Sequence, residues 1–221
     1  MPAAVIGHID SAMPQLVASG FYGKIPARGD FVQAGLPRSF TDPWADWMQR
    51  MLAASRVILG EAWLPAWLEA PVWRFMLAPG VCGPNAALGL WLPSVDRIGR
   101  YFPLTLALVT KEAADLSRLI REGGGFLAAA ECAGRDGLAN DLPPEALAAQ
   151  TDMALAALPA DPGVDPLLYP AARGLWWTEG AARVPPDAFA SPELPKAARF
   201  AAMLDAATPV LPWPMYRSKP I

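Results

Sequence analysis

The chain of 221 residues carries 18 Lys and Arg against 21 Asp and Glu, a formal charge of −3, so nucleic acid is not an expected partner. Hydrophobic residues make up 53% and charged residues 18%; at this length roughly 70% of the unfolded chain's surface can be buried, and intrinsic disorder is excluded. Cys82 and Cys132 stand far apart without a CxxC, and His8 is the only histidine. Neither a zinc cluster nor a disulfide framework can be assembled, and reduced thiols in the cytosol are the expectation.

Residues 1–19 show no clean period, no basic residue precedes Lys24, and Asp10 interrupts the apolar stretch, so a signal peptide is not expected. The first strand-like run is 20–25, closed by Pro26. Asp42 followed by Pro43 reads as an N-cap and first helical position, predicting a helix over 43–59. Trp44, Trp47, Met48, Met51, Leu52, Ile58 and Leu59 recur along it at spacings of three and four, and Gly60 supplies a left-handed stop. A Trp-rich segment, 61–70, precedes three strands predicted at 72–77, 86–92 and 101–110, which read as an antiparallel meander. The third is apolar at nearly every position, so it is expected at the centre of its sheet with helices on both faces.

Residues 75–95 form an uncharged run of 21 residues, about the length of a membrane span. Pro79, Gly80, Gly83, Pro84, Asn85, Gly89 and Pro93 would break a helix there repeatedly, and two buried strands joined by a turn are expected instead. Helices are predicted at 112–122, at 126–133 after an interruption at Gly123, Gly124 and Gly125, and at 144–158; 159–170, with four prolines, reads as a rigid loop. A late hairpin is predicted from 173–178, turning at Glu179 and Gly180 and returning through 182–184. A helix over 194–207 closes the pattern, and the proline-rich 208–221 is expected to be loosely held. One domain over 1–221 is expected, because a second small core is costly and the early strand, the central meander and the late hairpin can share one sheet.

Catalytic motifs are sparse. A Ser-His-Asp arrangement would have to recruit His8 from an unpatterned segment; Gly23-Lys24 lacks the rest of a phosphate-binding loop; and Arg28-Gly29-Asp30 spells an adhesion tripeptide with no receptor in the cytosol. Two polar clusters follow very apolar strands: Lys24, Arg28 and Asp30, then Ser94, Asp96, Arg97 and Arg100. They are expected to converge at one edge of the sheet, and two readings of them are open. Arginine forks on loops held by a rigid sheet recognise carboxylates or phosphates, which makes these residues partner-binding candidates. Alternatively, pairs such as Asp30 with Arg97 or Asp96 with Arg28 only fasten one loop to the other. Trp176 and Trp177 must point to opposite faces of their strand, so they are secondary candidates for a partner surface unless helices cover both sides.

Read together, these segments resemble one family. FYGKIPARGDFV at 21–32 looks like its opening motif, and PSVDRIGRYFPLT at 93–105 is similar to its second long motif. Trp44 to Trp47 with Ser55 and Arg56, APVWRF at 70–75, LWWT at 175–178 and FAAML at 200–204 also fit. This is the TagF family, also called ImpM, associated with bacterial type VI secretion; the resemblance spans 20 to about 207, and 112–170 carries no motif of it. It implies an α/β fold, a three-layer α/β/α sandwich around a mixed, largely antiparallel sheet. It also implies a non-catalytic, post-translational repressor of secretion assembly, acting by binding the forkhead-associated scaffold protein Fha, at the secretion complex on the inner membrane. Some relatives are fused to a PP2C-type phosphatase domain, for which no metal-binding Asp constellation remains here. No cofactor and no catalytic residue carry over. The competing expectations are a hydrolase or phosphotransfer enzyme using Arg28, Asp30, Asp96 and Arg97, and a structural subunit of the secretion apparatus.

Overall fold

The computed structural model describes residues 15–111 and 116–210; His8, the start of the helix expected at 112 and most of the proline-rich tail lie outside the described residues. Seven strands form one sheet: β1 (Leu16–Gly23), β2 (Val32–Ala34), β3 (Trp73–Leu77), β4 (Ala86–Leu92), β5 (Leu104–Thr110), β6 (Gly174–Thr178) and β7 (Asp187–Ser191). Their order is β2-β1-β5-β4-β3-β6-β7, and the sheet, expected to be mixed and largely antiparallel, is antiparallel in every pairing. Residues 75–95 are two strands and their turn, and no described helix is long and apolar enough to cross a membrane.

Alternation along the central strands sorts the core into two layers. Leu88, Leu90 and Leu92 of β4, with Leu104, Leu106 and Leu108 of β5, pack against α3 (Leu116–Ala139) and α4 (Pro144–Ala154). The intervening Ala87, Trp91, Ala107 and Val109 pack with Trp73, Phe75 and Trp176 against α1 (Arg38–Leu59), α2 (Trp63–Leu68) and α5 (Ala197–Leu204). Helices therefore cover both faces, and the second face is the aromatic one. Trp44 lies 4.7 Å from Phe75 and 5.0 Å from Trp47, and Trp47 reaches Phe200 at 5.7 Å between ring centroids.

Several boundaries differ from expectation for identifiable reasons. Helix α1 begins at Arg38, a turn before Pro43, because the Pro37 carbonyl accepts from the N–H groups of Phe40 and Thr41 at 2.9 and 3.0 Å. Pro43 denies the Ser39 carbonyl its helical donor. Strand β5 starts after Pro103, with Tyr101 held apart in an isolated bridge to Val95. The late hairpin's partner strand is β7, not 182–184: Ala181 and Val184 close a tight turn, and pairing resumes only past Pro185 and Pro186, which have no N–H for a ladder.

The glycine triplet does not interrupt a helix. α3 runs through it, and all three residues are buried. A Cβ on Gly123 would overlap the Leu88 side chain, one on Gly124 the Ala160 carbonyl, and one on Gly125 the Leu158 carbonyl. The triplet therefore lets α3 settle onto β4 on one side and the 155–165 segment settle onto α3 on the other. Propensity alone favours Gly124→Ala by about 1 kcal/mol. We expect the reverse, a loss of about 1–3 kcal/mol from the backbone clash, read as a lower urea midpoint; a stabilised variant would show that the 155–165 segment yields freely.

Candidate functional site

Both long sequence motifs are loops at the same end of the sheet. The first is the loop of the β1–β2 hairpin, in which Tyr22 pairs with Gln33 and Gly23 with Val32. The second joins β4 to β5, and β5 lies beside β1 with Thr105 opposite Tyr22. The convergence expected from sequence is present, with the Arg97 N–H donating to the Arg28 carbonyl at 3.1 Å and the Ser94 hydroxyl to the Lys24 carbonyl at 2.7 Å.

Asp96 is the centre of the cluster. Its side chain is fully buried. One carboxylate oxygen accepts from the backbone N–H groups of Ile98 at 3.0 Å and Arg100 at 2.9 Å; the other accepts from the Lys24 ammonium and from Arg100 Nε at 2.7 Å. Burial pushes this carboxyl up, but the hydrogen bonds from Lys24, from the backbone and side chain of Arg100, and from Ile98 outweigh it and hold the group well below the usual carboxylate range. Asp96 also shapes its own loop: its N–H donates to the Arg100 carbonyl at 3.0 Å, and its carbonyl accepts from Gly99, whose φ of 85° is the left-handed geometry this turn requires. The partners differ from those considered from sequence. Asp96 is held by Lys24 and Arg100 instead of Arg28, and Asp30 faces Arg100 at 3.8 Å instead of Arg97.

The seven candidates thus divide. Lys24, Ser94 and Asp96 are buried and fasten the loops; Arg28, Asp30, Arg97 and Arg100 are exposed. Arg100 is partly committed, through Asp96 and the Gly29 carbonyl. Among the described residues the Arg28 guanidinium reaches only its neighbour's carbonyl, Ala27, at 3.2 Å. Trp176 and Trp177 do point to opposite faces, but both are buried, one under α1 and α5 and the other under α3, so neither offers a partner surface. Trp177 donates to the Pro162 carbonyl at 2.8 Å, which pins the proline-rich segment.

Sequence reasoning missed two apolar side chains at the same end: Phe31, 43% exposed, and Ile98, 65% exposed. Phe31 stacks on Tyr22 at 5.5 Å, meets Phe102 edge-on at 4.8 Å and lies 4.7 Å from the Lys24 ammonium. The signal was there, since both are apolar residues within charged loops. Cavities of about 550 Å³ between α3 and α4, about 510 Å³ beside Pro93 and about 310 Å³ beside Arg199 contain none of Arg28, Asp30, Asp96 or Arg97.

An antiparallel sheet covered on both faces, with two interlocked loops presenting arginines from one end, defines an α/β protein. The model of the family described as "TagF N-terminal domain, Type VI secretion system-associated" matches residues 20–154, and the chain belongs to that family. It is similar to PA0076 from Pseudomonas aeruginosa PAO1, whose crystal structure is 35% identical with a TM-score of 0.70, over 88% of this chain and 97% of that one. A search of curated proteins gives no match.

Proposed function

We propose that this protein is a non-catalytic regulator that represses assembly of the type VI secretion apparatus by binding its scaffold protein Fha on the cytoplasmic side. Family membership supplies the association with type VI secretion. The observation that carries the non-catalytic reading is the saturation of Asp96, whose two oxygens already accept four hydrogen bonds. A carboxylate so occupied has no lone pair for a substrate proton or an attack, which counts against a hydrolase or phosphotransfer enzyme built on this cluster. The neighbouring arginines and the exposed Ile98 and Phe31 are suited to contacting another protein.

The test is calorimetry of this chain with purified Fha, alongside type VI secretion in cells overproducing the chain. Saturable binding and reduced secretion are expected. Absence of both overturns the proposal, and binding with unchanged secretion removes the repressor role.

A further inference from the structure

We propose that Arg28, Arg97, Ile98 and Phe31 form a docking surface for an acidic peptide segment of a partner protein, one that carries an aliphatic side chain among its carboxylates. The proposal rests on the binding reading above only for the partner's identity. Because the Arg97 N–H donates to the Arg28 carbonyl, the two arginine side chains leave the backbone from adjacent points. Among the described residues no ion pair engages the Arg97 guanidinium, and Arg28 makes only its contact with Ala27. Of the nearby acids, Asp96 is buried and saturated and Asp30 faces Arg100, while the carboxylates of Asp42 and Asp46 of α1 lie close enough to Tyr22 to help burial push its hydroxyl up. A protein with a formal charge of −3 thus presents, from adjacent backbone points, two guanidinium forks that no ion pair among the described residues engages.

The surface is also held in shape before any partner arrives. Asp96 ties down the backbone at Ile98 and Arg100, and Tyr22, Phe102 and Lys24 fix the Phe31 ring. Little ordering is then left to oppose association. Planar forks match carboxylates in a bidentate manner, and a fixed aromatic and an exposed isoleucine on loops at one end of the sheet are suited to an apolar side chain. An anionic lipid surface fits less well, because polybasic recognition uses clusters of about four to eight cations, and here exposed Asp30 interrupts a smaller set.

Fluorescence polarisation with labelled synthetic peptides tests this. The probes are Glu-Glu-Leu-Asp-Glu-Glu, its Gln/Asn counterpart, its Lys counterpart, and the acidic peptide with Ser for Leu. The acidic peptide should bind, weaken with added salt, and outcompete each of the others by about tenfold or more. The double variant Arg28→Gln/Arg97→Gln should lose about tenfold in affinity with its melting temperature unchanged. Equal binding of the acidic and Gln/Asn peptides, indifference to the double variant, or capture by phosphatidylglycerol vesicles without peptide binding each overturns the proposal. Fha separates the two readings. Equal binding of Fha to parent and double variant refutes this surface and leaves the regulatory reading standing; peptide binding through both arginines without any Fha binding does the opposite.

Discussion

Trp44→Ala should lower stability by about 3–5 kcal/mol, the range for emptying a fully buried large aromatic site. The indole is wholly inaccessible to solvent and lies among Phe40, Trp47, Phe75 and Trp176, so it links α1 to the centre of the sheet. Its Nε1–H donates to the Thr105 hydroxyl at 3.0 Å, on the strand that leaves the candidate site. Trp44→Phe separates the two contributions: it keeps most of the apolar contact but leaves a buried hydroxyl unpartnered, at a cost of about 1–3 kcal/mol. Val57→Ala is the control on the same helix, since that side chain is 86% exposed and should shift stability by no more than about 0.5 kcal/mol. Urea unfolding followed by far-ultraviolet circular dichroism measures all three without relying on tryptophan emission. A loss below about 1 kcal/mol for Trp44→Ala would mean that the aromatic layer repacks, contrary to the close packing described above.

The central strands and the long amphipathic helix were legible because each shows its period over many residues. Strand β4 was expected at 86–92 and occupies those residues; the nearly continuous apolarity of β5 correctly implied a strand covered on both faces. What escaped the sequence depended on contacts between distant segments. Three residues of β2 are too few to show alternation, and their pairing with β1 is set by the turn between them. The glycine triplet reads as a break by propensity, and only the approach of Leu88 and of residues 158 and 160 explains its place inside α3. The candidate site was half legible. Charge placement marked both loops, but the partner of Asp96 could not be chosen among four cations from spacing alone, because the choice depends on which side chains the sheet's end buries. Lys24 is next to the last residue of β1 and points inward, whereas Arg28 lies farther out in the hairpin loop.

Replacing Asp96 should be the most damaging change at the site. Asp96→Ala leaves the Lys24 ammonium, only 4% exposed, without its counter-charge and removes the acceptor for two backbone N–H groups and the Arg100 guanidinium. Breaking a buried pair from one side costs about 3–5 kcal/mol, which for a chain of this size lowers Tm by roughly 6–20 °C. Arg97→Ala, one residue on, removes a side chain with no ion pair and should stay within about 0.5 kcal/mol of the parent. Lys24→Met combined with Asp96→Leu tests the mechanism, because removing both charges together should recover part of the loss; a double variant as weak as the sum of its singles would place the cost in the loop's backbone hydrogen bonds instead. The pH dependence has a definite sign. The folded carboxyl of Asp96 is held below its unfolded value, so its contribution is complete above the unfolded range near pH ~4 and is lost as pH falls from there toward the folded value. The stability gap between the parent and Asp96→Asn should therefore be constant from neutral pH down to about 5 and narrow below about 4. Urea midpoints collected across that range decide it, and a gap that stays constant into the acid range would mean that Asp96 does not stabilise the fold through its charge.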